Sequence, residues 1–354
     1  LLQHITTATA SPAQMHADLA AQISANRTGA GKLSALVRGA GPDAFRAGLA
    51  AVNRYGERLA RQALAAIPDG TYTFTDVMDD DGTGRRDIRI RVTLTVRQGQ
   101  VVVDFRGTDS QVPGNINCPL PVTAAAVWYV FRCLMPAYTP ACAGSFRAIR
   151  LQAPPGSLVN AGPPAAVAAG NVETSSRIVD AVAGALAEAL PDRVPAASQG
   201  TMNNLAMGAR SATRNWDYYE TIAGGAGGGP RYPGLSAVQS HMTNTLNTPV
   251  EVLELNYPLR ITGYRVRTGS GGAGRHPGGD GLEREYEFLA PATVTLLTER
   301  RQHAPWGLQG GAAGRPGENR LNRRELPAKV TFTAAPGDRL TLRTPGGGGW
   351  GRVS

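Results

Sequence analysis

The sequence predicts an α+β fold: N-terminal helices with an antiparallel β-meander, then further helices and a Gly-rich β region. Three observations lead there. Apolar residues recur at helical spacing up to about residue 67, and the period then drops to two. Helix-like and strand-like segments come in runs and do not alternate as β-α units. Glycine, 44 of 354 residues, crowds the chain after Pro195, where short strands follow one another.

Residues 11–38 read as the first helix. Ser11 is placed to cap it, Pro12 suits the first helical position, and Met15, Leu19 and Ile23 share a stripe. Residues 42–67 form the second, with Phe45, Leu49, Val52, Leu59 and Leu64 in register and Pro68-Asp69-Gly70 as its stop. Strands follow at 71–78 and 88–96, joined by the acidic turn Asp79-Asp80-Asp81-Gly82, and a third at 101–105. This meander is expected to pack beside the two helices. Residues 119–148 read as a buried helix, and 172–190 as another with Ile178, Val182 and Leu186 aligned. Short strands are expected at 257–267, 283–289, 292–297, 329–333 and 339–344. No repeat of fixed period appears. The expected units are 1–118, 119–255 and 256–354.

Composition narrows the function. Hydrophobic residues make up 42% of the chain, enough for a core, which excludes a disordered chain. The net charge is +9, and residues 256–354 carry 14 Arg and one Lys against eight Asp and Glu. These arginines alternate with strand residues or sit beside acids, and no nucleic-acid motif accompanies them, so no nucleic-acid partner is expected. The longest apolar run, residues 124–131, is far below the ~20 needed for a membrane span. No basic segment followed by an apolar stretch opens the chain, so no signal peptide is expected. Cys118, Cys133 and Cys142 form no C-x-x-C, which fits a reducing cytoplasm.

Four polar segments are the candidate sites. The first holds Asp109, Asn115 and Asn117, after the third strand. The second holds Asn171, Glu173 and Thr174 at the start of a helix, where Asn171 is placed to cap. The third holds Gln199, Thr201, Asn203 and Asn204. The fourth holds His241, Asn244 and Asn247. His241 is the best acid/base candidate, and Asp109 the second catalytic candidate. Each segment equally suits a plain turn or cap. There is no G-x-S-x-G, no H-E-x-x-H and no phosphate loop, and Lys is almost absent. The chain alone is therefore expected neither to hydrolyse ATP nor to bind a stoichiometric transition metal.

The same segments carry a resemblance. The residues are Asp104-Phe105-x-Gly107-Thr108 with Pro113-Gly114-Asn115-Ile116-Asn117-Cys118-Pro119; Asn171-Val172-Glu173-Thr174-Ser175; Ser198-Gln199-Gly200-Thr201-Met202-Asn203-Asn204; Tyr219-Glu220-Thr221-Ile222-x-Gly224-Gly225; His241-Met242-Thr243-Asn244-Thr245-x-Asn247-Thr248-Pro249; Gly269-Ser270-Gly271-Gly272 with Gly278-Gly279-Asp280-Gly281; and Thr344-Pro345-Gly346-Gly347-Gly348-Gly349. In this order they resemble the hydantoinase B / 5-oxoprolinase family, from about Ala20 to Gly351.

The resemblance implies a B-type subunit working with a hydantoinase A-type subunit of actin-like fold, which binds ATP and magnesium. Such pairs open cyclic amides such as hydantoins or 5-oxoproline; related complexes carboxylate acetone or acetophenone. It also implies that the chain corresponds to the C-terminal two-thirds of a B-type subunit. The family's Asn-Asp-Pro-Tyr-type and His-His-Ala-Asp-type motifs, with any divalent metal they hold, then lie outside this chain, which would be a truncation, a processed product, or one half of a split gene partnered by a separate N-terminal half. Leu246 stands where many relatives carry Arg. The four segments are expected to converge, because neutral amide and hydroxyl groups suit a neutral ring amide. The rival expectations are a ketone carboxylase subunit and a non-catalytic assembly subunit.

Overall fold

The structure, a computed structural model, describes residues 2–7, 9, 11–210 and 215–353. Helices α1 (Leu2–Thr7), α2 (Pro12–Ala40) and α3 (Pro42–Leu64) come first. Gly41, at φ 81°, makes the reversal between α2 and α3, a conformation that glycine adopts without a Cβ clash. The first sheet runs β1 (Gly70–Asp80), β2 (Arg86–Arg97), β3 (Gln100–Asp104) and, after α4 (Leu120–Leu134), β4 (Ile149–Gln152). The first three strands are antiparallel, and β4 joins β3 in parallel. The sequence reason is plain in β2, where Ile88, Ile90, Val92, Leu94 and Val96 are buried and Arg86, Arg89, Arg91 and Arg97 are exposed.

The helix that covers this sheet is α5 (Ser175–Ala189), which packs on β1 and β2. Gly184 lets it approach Phe74 closely, since a Cβ there would sit 2.6 Å from the ring. This corrects the expectation that both N-terminal helices flank the meander. No residue of α2 is buried, and α3 buries only Gly56, Ala60 and Leu64. The Ala- and Gly-rich α2 offers little apolar area to bury. The helix expected over 119–148 ends at Leu134, because Pro136 disfavours helical geometry at Met135. Neither Ser11 nor Asn171 makes a side-chain cap; a π-turn, Gly170–Thr174, leads into α5 instead.

The Gly-rich half forms two more sheets. After β5 (Asn204–Ala209), β6 (Trp216–Glu220) and α6 (Val250–Asn256) come β7 (Leu259–Arg267), β8 (Gly281–Phe288), β9 (Ala292–Leu297), β10 (Glu318–Leu321), β11 (Arg324–Leu326), β12 (Lys329–Ala334) and β13 (Arg339–Arg343). They pair as β11-β10-β13-β8-β7 and β12-β9-β5-β6. A second core of Leu205, Val294, Leu296, Tyr286, Phe288, Leu340 and Leu342 lies within this half. The glycine runs were expected to supply little core; they pack backbone on backbone. Gly347 donates to the carbonyl of Gly279 at 2.9 Å, Gly279 to Ala226 at 2.8 Å, and Gly348 to Ala197 at 2.8 Å. A Cβ on Gly347 would sit 2.0 Å from the Ala226 oxygen. These layers fix residues 196–204, which lead into the site. No helix among the described residues is long and apolar enough to cross a membrane.

Candidate active site

The site is built around the start of α5. Gly170 lies against the Asn117 carbonyl, where a Cβ would come within 2.1 Å, and the Thr174 hydroxyl donates to the Ile116 carbonyl. These two contacts turn Glu173 into the interior, where it is fully buried. Its Oε1 accepts from Asn204 Nδ2 at 2.6 Å and from the Met202 N–H at 3.1 Å. Its Oε2 has no hydrogen-bond partner; the Thr201 hydroxyl lies near enough to lower the pKa without meeting hydrogen-bond geometry. Burial, then the nearby Glu299, push the Glu173 carboxyl up to about 8, so it holds its proton at neutral pH. Glu299 is paired with Lys329 at 2.5 Å and Arg177 at 3.2 Å.

Seven residues along α5, on the same helix face, sits Asp180. Arg300 NH2 donates to Asp180 Oδ2 at 2.6 Å and to Asp76 Oδ2 at 2.9 Å. Asp76 also receives Trp306 Nε1 at 3.2 Å and Arg177 NH1 at 3.4 Å. Burial would raise the Asp76 pKa, but Arg300 and Arg177 outweigh it and hold it low. Burial keeps that of Asp180 raised despite Arg300. The second oxygen of Asp180, Oδ1, lies 3.6 Å from His241 Nε2, and the Tyr129 hydroxyl lies 3.5 Å from His241 Nδ1. Burial lowers the His241 pKa, with Asp180 opposing, so the imidazole is neutral at pH 7. Tyr129, His241, Met242, Thr243 and Asn244 line a cleft of about 320 Å³. A neutral imidazole beside a carboxylate at the edge of a cleft is a general acid/base arrangement.

The structure joins several of the predicted residues directly. Thr201 Oγ1 accepts the N–H groups of Asn203 and Glu299. Asn203 donates to Gln199 Oε1 at 2.9 Å and to the Ile222 carbonyl, and accepts from Arg301 at 2.7 Å. Asn204 links Glu173 to the Leu297 carbonyl and accepts from the Tyr219 hydroxyl at 2.6 Å. Tyr219 in turn lines a cleft of about 660 Å³ over β5 and β6, together with Thr293 and Thr295. Asn115 lines a separate cleft of about 380 Å³ with Asp81 and Lys329.

Other candidates stand apart. Asn117 spends its amide on the carbonyls of Val112, Gly114 and Ala166 and closes its own loop. Thr174 is likewise committed to Ile116. Asp109 accepts from the backbone and guanidinium of Arg89 on β2, which ties down a turn and leaves it no catalytic neighbour. Asn171 is exposed, whereas Asn244, also exposed, lines the His241 cleft. Asn247 bonds the Thr221 carbonyl and Tyr264 beside a second buried cluster of Glu220, Arg284 and Tyr286.

Sequence reasoning missed Asp76, Tyr129, Arg177, Asp180, Tyr219, Glu299, Arg300, Arg301 and Lys329. A signal existed for some of them: Arg177 and Asp180 fall on the stripe of a helix otherwise apolar, and Lys329 is one of two lysines in the chain. The divalent metal implied by the resemblance has no donor set here. Among the described residues, no three of His, Cys, Asp and Glu gather as a metal site.

The family model described as Hydantoinase B/oxoprolinase matches residues 1–353. The chain belongs to this family. It is 38% identical to 5-oxoprolinase 1 of Arabidopsis thaliana over 94% of its own length and 27% of that protein. It is 33% identical to the putative B-type subunit of a D-/L-hydantoinase from Pseudomonas sp. (strain NS671), over 94% of its length and 59% of that relative. Among solved structures, an ATP-dependent caprolactamase from Pseudomonas jessenii superposes with a TM-score of 0.87 at 28% identity, over 96% of this chain and 62% of that one. This hydantoinase B/oxoprolinase chain thus spans about a quarter of the 5-oxoprolinase and some three-fifths of the two shorter relatives.

Proposed function

We propose that the chain is part of the B-type component of an ATP-dependent cyclic-amide hydrolase, opening a lactam, hydantoin or 5-oxoproline ring. The observation that carries this reading is the His241–Asp180 pair at the cleft beside Tyr129. Family membership supplies the reaction class. An A-type partner binds ATP with magnesium and activates the ring carbonyl; a divalent metal, where the family uses one, is held outside this chain. We place the complex in the cytoplasm, in keeping with three free cysteines.

In this reading Asp180 favours the tautomer with the proton on Nε2, and the Nδ1 lone pair faces the Tyr129 side of the cleft. Nδ1 takes a proton from the attacking water. As the new C–O bond forms and the ring C–N bond breaks, the imidazolium returns that proton to the departing ring nitrogen; with the carbonyl activated by phosphoryl transfer from ATP, the product is an acyl phosphate, which loses inorganic phosphate to a second water. Loss of such a base costs about 10²–10⁴ in rate.

The test is reconstitution with the A-type partner and the rest of the B-type polypeptide, with ring opening followed by chromatography. Expected are ATP-dependent opening indifferent to bicarbonate, and a kcat loss of about 10²-fold or more in His241→Gln. Because His241 is held neutral, kcat/KM should fall as pH drops through a value below the ordinary 6.5 of histidine. Bicarbonate consumption would assign the chain to a carboxylase. Full activity in His241→Gln would leave it an assembly subunit.

A further inference from the structure

Arg300 has features that a plain buried ion pair does not need. Its backbone lies in the left-handed region at φ 59°, as do those of His241 at 58° and Asn203 at 47°. For residues with a Cβ this is an uncommon, strained conformation, and glycine would relieve it. Arg300 is fully buried, and its fork is shared between two carboxylates from different elements, Asp76 on β1 and Asp180 on α5. Gly200 packs on this pair: a Cβ there would meet both Arg300 Nε and Asp180 Oδ2 at 2.7 Å. The pair is thus sealed from above by a residue that must lack a side chain.

The contacts divide the two oxygens of Asp180. Oδ2 takes the 2.6 Å bond from Arg300; Oδ1 is left toward His241 Nε2. Asp76 is fixed from four sides, by Arg300, Arg177, Trp306 and its own neighbour Val77. It therefore serves as a rigid anchor for the guanidinium. The groups facing the pair are Arg177 from α5, Asp76 from β1, Tyr129 from α4 and His241 itself.

We infer that Arg300 is a positioning residue for the proposed reaction: anchored on Asp76, it favours the ionised form of Asp180 and turns it so that one carboxylate oxygen faces His241. The inference rests on the reading of His241 as the base. Without the guanidinium, a carboxyl this deeply buried takes up a proton, and the imidazole loses its neighbouring charge.

The test uses Arg300→Met and the milder Arg300→Lys, which keeps a charge but loses the fork. Two readouts are needed. In the reconstituted complex, Arg300→Met should lower kcat toward the ~10²–10⁴-fold loss of a missing base. It should leave KM nearly unchanged and move the acid limb of the pH profile to lower pH. Arg300→Lys should restore part of the rate. In the full chain alone, NMR of the His241 ring should show its titration moving to lower pH in Arg300→Met. If Arg300→Met is too unstable to study, Arg300→Lys carries the same comparison with smaller changes. A His241 titration that stays put or rises overturns the inference, since simple removal of a positive charge would raise it. So does a melting-temperature loss with kcat and pH profile intact. Absence of ring opening in the wild-type complex would end the functional reading instead, while the titration still decides the role of Arg300.

Discussion

Replacing Glu173 with glutamine is a direct test of the buried acid. Glutamine has the shape of the neutral carboxyl, and its oxygen can accept the same two hydrogen bonds from Asn204 and Met202. In the fold, Glu173 titrates at about 8; in the unfolded chain it returns to about 4.5. Between those values the native state holds a proton that the unfolded state has lost. The stability this lends is full below pH 4.5 and is lost as pH rises through 8. The slope is about 1.4 kcal/mol per pH unit, approaching roughly 5 kcal/mol across the window. The variant has no such slope. Below about pH 4.5 the wild type should be the more stable by about 1 kcal/mol, the cost of one unpartnered amide donor. The two should cross near about pH 5, and above about pH 8 the variant should be ahead by roughly 4 kcal/mol. Urea unfolding of both proteins between about pH 5 and pH 9 measures this, and the contributions of Asp180 and His241 cancel in the difference. Parallel profiles would show that Glu173 is ionised in the fold and would refute the assignment.

Two further outcomes follow from the same structure. Lys329→Met removes one of the two ion-pair partners of the buried Glu299 among the described residues, leaving Arg177, and should cost about 3–5 kcal/mol in chemical denaturation; a loss below about 1 kcal/mol would mean that solvent reaches the pair. Gly347→Ala places a methyl 2.0 Å from the Ala226 carbonyl oxygen; the variant should lose several kcal/mol or fail to fold, and a melting temperature equal to that of the parent would contradict the backbone packing.

The elements with a strong period were legible. The alternation of Ile88 to Val96 and the stripe of Ile178, Val182 and Leu186 gave β2 and α5 to within a few residues. β5 and β6 were not, because Asn204-Leu-Ala-Met-Gly-Ala owes its strand form to β9, distant in sequence, and Trp216-Asp-Tyr-Tyr-Glu is an edge strand that pairs on β5. The candidate site divides in the same way. Glu173, Asn203, Asn204 and His241 stood out as polar residues at breaks in local structure. Asp180, Arg300 and Lys329 did not, since a charged residue in a helix, a strand or the loop after one ordinarily faces water. Only the packing of α5 against β1 and the 298–306 segment brings their charges together. Asp109 and Asn117 looked alike in sequence to the residues that converge, yet their hydrogen bonds go to Arg89 on β2 and to the carbonyls of Val112, Gly114 and Ala166.

The glycine layers bear on how variation in this chain is to be read. Every single-base missense change of a glycine codon yields a residue with a Cβ, and in these layers the nearest neighbour of that atom is a carbonyl oxygen at about 2 Å. Point mutation therefore offers no gentle step there: the layer stays intact or the fold is lost. Glycines at 225, 279 and 347 will persist in any functional library, so their persistence carries no information about the reaction. Selection experiments that sort variants by activity will draw their signal from the residues these layers hold in place.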